Sequence, residues 1–426
     1  MEFESTKRFA EQLDQQDELK KYRAHFYFPQ HEGSDCLYFC GNSLGLQPKQ
    51  VKDAVMVELE DWEKFGVEGH FQGRNPWFHY HKFLNEPTAR LVGAKPSEVV
   101  VMNSLTVNLH LMLTSFYRPS AQRFKIIVEG DCFPSDHYAV CSQAALHGYE
   151  PDEAIVELWP RAGEYTLRTA DILQKIEEIG DELALVMLGG VNYYTGQLFD
   201  MKAITAKAHE VGAKAGYDLA HAAGNVSLAL HDWNVDFAVW CSYKYLNSGP
   251  GGTSGVFVHE RYAEDPQLLR MAGWWGHNEE ERFLMEKGFE AMKGAAGWQL
   301  SNAQILPMAV HKASLSLFDE VGMEALVNKS RKLTGFLEYL IQELNQEQDQ
   351  VRIQIITPKQ VEERGCQLSL VLSHRAKEIH QAITKQGVVA DWREPDVIRV
   401  APVPLYNSFV DVYGLYEALK TVITAV

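Results

Sequence analysis

Short apolar runs alternate with helical patterns of apolar and polar residues through the middle of the chain, from about residue 98 to residue 258. Runs rich in valine, isoleucine and leucine, separated by segments of helical period, predict strands joined by helices. The predicted strands are 99–102, 125–128, 154–158, 183–188, 214–218, 237–241 and 255–258. This alternation predicts an α/β fold with a mostly parallel, seven-stranded sheet that is covered by helices on both faces.

The pattern changes after residue 304. One helix is predicted over 305–343, in a helical stretch that runs to about residue 345; it is followed by strand patterns at 351–357, 367–372, 388–391 and 397–400, a helix at 376–386 and a closing helix. This succession predicts a smaller α+β domain at the C-terminus. The predicted domains are an N-terminal segment, 1–45, that packs on the small domain, a large domain, 46–304, and the small domain, 305–426.

Composition and charge narrow the class of protein. A chain of 426 residues with 46% hydrophobic content can fill two cores. Its net charge of −17 argues against nucleic acid and anionic membranes as partners, since both attract clustered Lys and Arg. The six cysteines lack metal-finger spacing, the amino terminus is charged from its second residue, and no apolar run approaches the roughly 20 residues of a membrane span. We expect a cytoplasmic protein with free thiols and no bound metal.

Lys244 follows the predicted strand 237–241 and precedes a glycine-rich turn. Ammonium groups are almost never buried without a partner, so a lysine at the end of a core strand indicates an amine that takes part in a reaction. Pyridoxal 5'-phosphate requires such an amine, which forms an imine with the aldehyde of the cofactor. The structural alternative is a lysine that merely emerges at the end of a strand.

Asp218 ends the predicted strand 214–218. A carboxylate at the carboxyl end of a strand in an open α/β sheet points into the crevice where ligands bind. Pyridoxal phosphate needs an acid there to keep its pyridine nitrogen protonated. On a helical turn, His221 would share a face with Asp218 and could fix the carboxylate or cover the ring. A helix N-cap is the alternative for Asp218, but Asp218 and Lys244 together, each ending its own strand, favour a pyridoxal phosphate enzyme.

Two other segments suit the same cofactor. Residues 103–110 follow a strand and open a helix, so their backbone N–H groups and hydroxyls predict a phosphate site. Phe133, just beyond the next strand, can stack on the pyridine face, and Asp136 can reach the ring substituents. A polar helix cap and a helix start that contains proline are the respective alternatives.

Several motifs resemble the kynureninase family. They are GNSLGLQP at 41–48, LTVNLH at 105–110, FPSD at 133–136, DLAHA at 218–222, SYKYLN at 242–247, WWGH at 274–277 and RVAPVPL at 399–405. The resemblance extends from about residue 41 to residue 410. An Asp and a downstream Lys are typical of all fold-type I pyridoxal phosphate enzymes, whose fold is that of aspartate aminotransferase, whereas the last two motifs are similar to kynureninase in particular.

The resemblance implies roles for the matching residues. Lys244 would carry the cofactor as an imine, Asp218 would bind the pyridine nitrogen, and Phe133 would stack on the ring. The further cofactor contacts that it implies are Leu105, Thr106, Asp136, His221, Tyr243, Trp274 and Asn302. The last two are expected from the neighbouring subunit of a homodimer with shared active sites. Gly189 departs from the pattern, because some relatives carry a serine there.

The resemblance also implies the substrate and the reaction. The enzyme would hydrolyse the Cβ–Cγ bond of L-kynurenine to give anthranilate and L-alanine, and likewise that of 3-hydroxy-L-kynurenine, in tryptophan degradation or NAD biosynthesis. Lys244, Tyr243 and Asp218 would be catalytic. The implied substrate contacts are Ser43, His70, Ser301, Asn302 and Arg399. Arg399 would clamp the α-carboxylate, and the polar His70 and Asn302 favour 3-hydroxykynurenine at least as much as kynurenine.

Two alternatives remain at this stage. A cysteine desulfurase or an aminotransferase would keep Asp218, His221 and Lys244, but a desulfurase also needs a mobile nucleophilic cysteine, whereas Cys366 lies beside an apolar run. A metal-dependent hydrolase could use the histidines at 70, 79 and 81, although no helical histidine motif with a carboxylate accompanies them.

Overall fold

The computed structural model describes residues 3–265 and 267–425. The α-helices are α1 (Lys7–Gln16), α2 (Val51–Phe65), α3 (Lys82–Val92), α4 (Leu105–Phe116), α5 (Pro134–Leu146), α6 (Pro151–Ala154), α7 (Thr169–Ile179), α8 (Met201–Glu210), α9 (Ile305–Val321), α10 (Met323–Glu347), α11 (Ala376–Thr384) and α12 (Phe409–Thr424). The strands are β1 (Gln30–His31), β2 (Ser34–Asp35), β3 (Leu37–Tyr38), β4 (Val99–Met102), β5 (Lys125–Glu129), β6 (Ile155–Leu158), β7 (Leu183–Gly189), β8 (Lys214–Asp218), β9 (Phe237–Trp240), β10 (Ser254–Val258), β11 (Ile353–Ile355), β12 (Leu368–Leu372), β13 (Val388–Val389), β14 (Asp391–Arg393) and β15 (Val397–Val400).

A seven-stranded sheet forms the centre of the molecule, in the order β4-β10-β9-β8-β7-β5-β6. Strand β10 is antiparallel to both of its neighbours, and the other four pairs are parallel. Since β4 and β9 both oppose β10, they point the same way, and the carboxyl ends of β4, β5, β7, β8 and β9 lie at one edge. The predicted α/β fold with a mostly parallel sheet is confirmed.

All seven predicted strands of this sheet are present, and no end differs from its prediction by more than one residue. The agreement has a physical basis. Strands β4, β8, β9 and β10 are buried along nearly their whole length, as the strands of a sheet covered on both faces must be. Continuous β-branched and aromatic runs therefore mark these strands in the sequence.

The prediction of a single helix over 305–343 was wrong. Two helices, α9 and α10, meet at Gly322, whose φ of +78° lies in the left-handed region. Phe318 accepts a hydrogen bond of 2.8 Å from the Gly322 N–H, which closes the end of α9. The helical period of apolar residues continues on both sides of Gly322, and one glycine inside such a pattern is usually tolerated, so the break is not visible in the pattern.

The two helices contact two hydrophobic cores, and the start of α10 still contacts the first of them through Leu326. Met308 and Leu315 of α9 belong to the core beneath the large sheet. Leu333 and Leu340 of α10 belong to a second core, shared with α11, α12 and the antiparallel sheet β11-β12-β15-β14. The division of the chain at residues 45 and 304 stays a prediction.

The N-terminal segment contacts the second core. Ala10 and Leu13 of α1 are buried there, and the Phe3 ring lies 5.5 Å from the ring of Phe336. The Asp14 carboxylate accepts the N–H groups of Phe409 and Val410 at the start of α12, at 2.7 and 3.1 Å. A carboxylate at a helix N-terminus satisfies free N–H groups and stabilises the helix. Among the described residues, no helix has both the length and the apolar character of a membrane span.

A buried carboxylate, Asp236, connects β8 and β9 at the edge of the sheet opposite the carboxyl ends. It accepts hydrogen bonds from Ala215 N (2.7 Å), His209 Nε2 (2.8 Å), Arg261 Nη2 (2.8 Å) and the Tyr262 hydroxyl. Burial by itself would raise the pKa of Asp236, but the bonds from His209 and the charge of Arg261 lower that pKa to about 2.

We expect Asp236→Asn to lower the free energy of unfolding by about 3 kcal/mol near neutral pH, because it leaves buried donors without a charged partner. A carboxyl with a lowered pKa stabilises the fold above its unfolded-state pKa, and that contribution is lost as the pH falls through the folded-state pKa. The difference between the two proteins should therefore shrink between about pH 4 and pH 2. Denaturant titrations across this range check it, with Asp232→Asn, at an exposed side chain, as a control that should leave the midpoint unchanged.

Candidate active site

A pocket opens where the carboxyl ends of five strands meet. Its empty volume is about 720 Å³, including the mouth that is open to solvent. Eight residues predicted from the sequence line it together: Leu105, Thr106, Phe133, Asp136, Asp218, His221, Tyr243 and Lys244. These residues follow β4, β5, β8 and β9, so the direction of the strands brings together side chains that are far apart in the sequence.

The amine of Lys244 lies inside this pocket. Its Nζ is 3.0 Å from Nε2 of His221 and 5.7 Å from the centre of the Phe133 ring. Burial, assisted by the nearby charges of Lys244 and Arg399, holds the pKa of His221 well below its usual value. The imidazole is therefore neutral, and its Nε2 can accept a hydrogen bond from the lysine, whose ammonium form has only donors.

His221 reaches the lysine from a turn. Residues 220–225 form turns after β8, and the Leu219 carbonyl accepts the N–H groups of Ala222 and Ala223, both at 2.9 Å, so a short helical turn follows Asp218 without continuing as a helix. The Asp218 carboxylate caps this turn by accepting the Ala220 N–H at 2.7 Å. The turn directs His221 towards Lys244. In the sequence, the only helical signal at the end of this strand is the possible N-cap, Asp218.

Three carboxyl groups surround the amine: Glu129, Asp136 and Asp218, all buried or nearly so. Burial and the charge of Asp218 raise the pKa of Asp136 well above its usual value. Burial also raises the pKa of Asp218, but Lys244 and the Ala220 N–H oppose this. Burial raises the pKa of Glu129 to about 7. Asp136 is therefore the member of the aspartate pair that holds a proton, while Asp218 carries the charge opposite Lys244.

Two helix N-termini face the other side of the pocket. Helix α4 starts at Leu105 and α5 at Pro134, and neither has a side chain capping its first turn. Thr106 Oγ1 and Ser135 Oγ, in the first turns of the two helices, lie 2.9 Å apart. Free backbone N–H groups and the two helix dipoles favour an anion at this end.

Aromatic rings form one wall of the pocket. The Phe133 ring is 41% exposed and packs edge-on against Tyr193, with 5.4 Å between ring centres. An apolar ring that remains exposed in a pocket can cover the face of a flat ligand. Tyr243 lies beside Lys244, with 6.0 Å from the lysine Nζ to its ring centre, and burial raises the pKa of its hydroxyl.

Arg399 lies in β15, just behind this wall. Its side chain is 1% exposed, and its Nη1 donates a hydrogen bond of 2.6 Å to the backbone carbonyl of Tyr193. Burial lowers the pKa of Arg399, and the carboxylate of Asp391 opposes that effect. Arg399 therefore approaches the pocket from the small sheet, through the loop that carries Tyr193.

Comparisons with known proteins identify the family. A model described as the kynureninase C-terminal domain matches residues 326–419. The chain is 56% identical over 420 residues to the kynureninase of Flavobacterium psychrophilum, with 99% of both proteins covered. It is 55% identical over 419 residues to that of Myxococcus xanthus, covering 98% of this chain and 97% of the relative. The chain belongs to the kynureninase family.

Solved structures show the same fold at much lower identity. The cysteine desulfurase CsdA of Escherichia coli has a TM-score of 0.74 and 16% identity, with 96% of this chain and 99% of that chain covered. A mutant of C-DES with glycine covalently linked to its pyridoxal phosphate cofactor has the same score and identity, with 91% and 97% covered. These similarities show that this member of the kynureninase family has the same fold as the fold-type I pyridoxal phosphate enzymes.

Six residues that the kynureninase resemblance placed at the site do not line the pocket of this single chain. One is Arg399, which lies behind the pocket wall as described above. Ser43, Ser301 and Asn302 are exposed. Trp274 is 44% exposed, and its indole N–H donates to the Arg282 carbonyl at 3.1 Å. His70 is partly buried against the ring of Trp77. Their predicted roles stay predictions.

The sequence interpretation gave no individual role to five other residues of the pocket. They are Glu129, Ser135, Val191, Tyr193 and Ala220. Of the remaining two, Ser104 belongs to the predicted phosphate segment, and Gly189 was noted as a departure from the family pattern. Ser135 lies within the motif FPSD, and that motif was an available signal for it. Glu129 ends the strand that precedes Phe133, so its position at a strand end was an available signal. Tyr193 follows β7 by several residues, and nothing in its local pattern distinguishes it from a loop residue.

Proposed function

We propose that this chain hydrolyses the Cβ–Cγ bond of L-kynurenine to give anthranilate and L-alanine, with pyridoxal 5'-phosphate as its cofactor, and that it cleaves 3-hydroxy-L-kynurenine in the same way. The observation that carries this function is the identity of 54–56% over nearly the whole chain with three kynureninases. A solved structure with this fold, the C-DES mutant, contains glycine covalently linked to the same cofactor. One water molecule is consumed for each substrate cleaved.

The residues of the pocket fit the cofactor. Lys244 offers an amine for the aldehyde, and Asp218 offers a carboxylate for the pyridine nitrogen. The starts of α4 and α5 offer two helix N-termini for the phosphate, and all of these groups face one cavity. Within the described residues, Oδ1 of Asp136 and Nδ1 of His221 are buried without a hydrogen-bond partner. Because buried polar atoms are nearly always paired, these two atoms support the presence of a polar ligand in the pocket.

The side chains of this pocket have distinct tasks in the proposed reaction. When bound, pyridoxal phosphate supplies an aldehyde that captures amines and a ring that withdraws electrons from the α carbon of the substrate. Lys244 supplies the amine that holds the cofactor and, once released, takes the proton from the α carbon. Asp218 keeps the proton on the ring nitrogen, and Phe133 covers the ring face and excludes water.

Tyr243 and Arg399 act on the substrate itself in this proposal. Because burial raises the pKa of Tyr243, its hydroxyl stays protonated and can donate a hydrogen bond to the γ-carbonyl oxygen as water adds there. The planar guanidinium of Arg399 suits bidentate binding of the α-carboxylate. These contacts orient the bond that breaks.

The proposal includes a cytoplasmic homodimer with shared active sites, in which Trp274 and Asn302 reach the cofactor of the neighbouring subunit. Large apolar side chains are exposed near Trp274, and they support a contact surface there: Leu269, Met271, Phe283, Leu284 and Met285. Contiguous exposed apolar side chains of this kind are typical of surfaces that pack against another protein.

The alternative with the same fold, a cysteine desulfurase, would need a nucleophilic cysteine, and Cys366 does not suit that role. Cys366 is 0% exposed, and burial raises the pKa of its thiol to about 12. A nucleophilic cysteine has to be accessible and to ionise readily. Cys366 has neither property.

Fluorescence of released anthranilate tests the proposed function directly. Purified protein loaded with pyridoxal phosphate should convert L-kynurenine into equal amounts of anthranilate and L-alanine. Comparing kcat/KM for kynurenine and 3-hydroxykynurenine then establishes the preference. Release of sulfide from L-cysteine, with no anthranilate from kynurenine, would contradict the proposal and favour a desulfurase.

Gly189 offers a test of cofactor binding. A Cβ atom added there would lie 3.3 Å from Oε2 of Glu129, to which the Gly189 N–H already donates at 3.1 Å. We expect Gly189→Ser to tighten the binding of pyridoxal phosphate by about 3- to 10-fold, because Gly189 lines the pocket and a serine hydroxyl there can donate a hydrogen bond to the cofactor. A spectrophotometric titration of the apoprotein measures this. Gly189→Ala is the matched control, and equal tightening by alanine would contradict the role of the hydroxyl.

A further inference from the structure

Asp391 and Arg399 face each other directly across two antiparallel strands, β14 and β15. One carboxylate oxygen, Oδ2 of Asp391, lies 2.8 Å from Nε and 2.6 Å from Nη2 of Arg399. Both side chains are largely buried, with 13% of Asp391 and 1% of Arg399 exposed. The pair is therefore fixed by strand register and sheltered from water, unlike an exposed ion pair, which contributes little.

A second arginine holds the same carboxylate from its other side. Nε of Arg393 lies 3.0 Å from Oδ2 of Asp391, and its Nη2 donates to Oδ1 at 3.5 Å. Two guanidinium groups share one carboxylate, so the cluster of Asp391, Arg393 and Arg399 carries a net charge of +1. Rotation of the Asp391 carboxylate away from Arg399 would also break its contacts with Arg393.

The contacts of Arg399 leave one end of its guanidinium free. The group has five N–H donors. The Nε side is directed to Asp391, and one Nη1 donor is used by the carbonyl of Tyr193, a residue that lines the pocket. Among the described residues, Nη2 is buried without a hydrogen-bond partner, although it lies 2.6 Å from Oδ2 of Asp391, so this end of the guanidinium keeps donors for a carboxylate.

We propose that Asp391 is a positioning residue, which holds the plane of Arg399 so that its free end receives the α-carboxylate of the amino-acid substrate. The inference rests on the proposed function and deepens it, because it names the group that sets the carboxylate contact. Asp391 touches neither substrate nor cofactor in this role. A buried arginine without such a partner has several rotamers, and ordering them on binding lowers affinity.

Kinetics of Asp391→Ala and Asp391→Asn test the proposal, with Asp171→Asn as the matched control. Asp171 binds Arg161 through two oxygens, at 2.8 and 2.7 Å, on the protein surface. We expect Asp391→Ala to raise KM for L-kynurenine by about 10- to 100-fold, the effect of losing a charge-assisted hydrogen bond, with kcat changed by less than about 3-fold. Asp391→Asn keeps an acceptor for Nε and should recover most of the loss. Asp171→Asn should match the wild type.

A second measurement separates positioning from general damage to the fold. L-Alanine, the product with the α-carboxylate, and L-alaninamide, which lacks that charge, are compared as ligands by titrating the absorption spectrum of the cofactor-loaded protein. The wild type should prefer alanine, and Asp391→Ala should lose that preference while it retains wild-type cofactor content and a cooperative melting transition. An unchanged preference with unchanged KM would overturn the proposal, as would equal loss of kcat in the alanine and asparagine variants. Absence of turnover in the wild type would instead contradict the proposed function, and the alanine preference would still test Asp391.

Discussion

Replacing Lys244 by alanine should abolish anthranilate release, with a loss in kcat of at least about 10⁴-fold. The variant loses both the amine that holds the cofactor and the base that takes the α proton, and a positioned base by itself contributes about 10²- to 10⁴-fold. Lys244→Arg is the sharper variant, because it keeps a positive charge near His221, which lies 3.0 Å from the lysine amine, but offers no amine for the cofactor. Steady-state kinetics with excess pyridoxal phosphate measure the loss.

Lys175→Ala serves as the control for this experiment, since Lys175 forms an exposed pair with Glu178 on α7, and its activity should equal that of the wild type. Anthranilate release by Lys244→Arg within about 10-fold of the wild-type rate would remove Lys244 from the chemistry, because a single essential base gives at least about 10²-fold.

Asp218→Asn should lower kcat by about 10²- to 10³-fold, the usual effect of removing one preorganised electrostatic partner from an active site. An amide cannot carry the charge that keeps the pyridine nitrogen protonated, so the ring withdraws electrons poorly. The amide oxygen still accepts the Ala220 N–H, which Asp218 binds at 2.7 Å, so the turn that carries His221 should keep its conformation.

Kinetics and the cofactor spectrum of Asp218→Asn together identify the cause of the loss. We expect the cofactor to bind and the melting temperature to stay near that of the wild type while turnover falls. Asp136→Asn is an informative comparison, because burial and the charge of Asp218 raise the pKa of Asp136 well above its usual value and so favour the neutral form that asparagine resembles. It should lose much less activity than Asp218→Asn, and the reverse order would contradict the assignment of charge to Asp218.

The large sheet could be predicted from the sequence because its strands are buried on both faces. Continuous apolar runs such as Val99–Met102 and Phe237–Trp240 are visible without any tertiary information. The break at Gly322 was not visible, because the apolar period continues through it. A left-handed φ is a property of backbone conformation, and a lone glycine inside a helical pattern does not reveal it.

The chemistry of the site was predictable only in part. Lys244 and Asp218 stand at strand ends with residue types that their surroundings disfavour, so the sequence marks them. The contact of Asp391 with Arg399 depends on the cross-strand register of β14 and β15. The position of Tyr193 at the pocket depends on a loop that folds back over it. Strand register and loop path are set by long-range packing, which local patterns do not encode.

Mass spectrometry of the borohydride-reduced protein tests the central claim most directly. Purified protein, loaded with pyridoxal phosphate, should be yellow, lose this colour on reduction, and carry one cofactor mass on the peptide that contains Lys244. A protein that binds no cofactor, or whose adduct lies on another lysine, would contradict it.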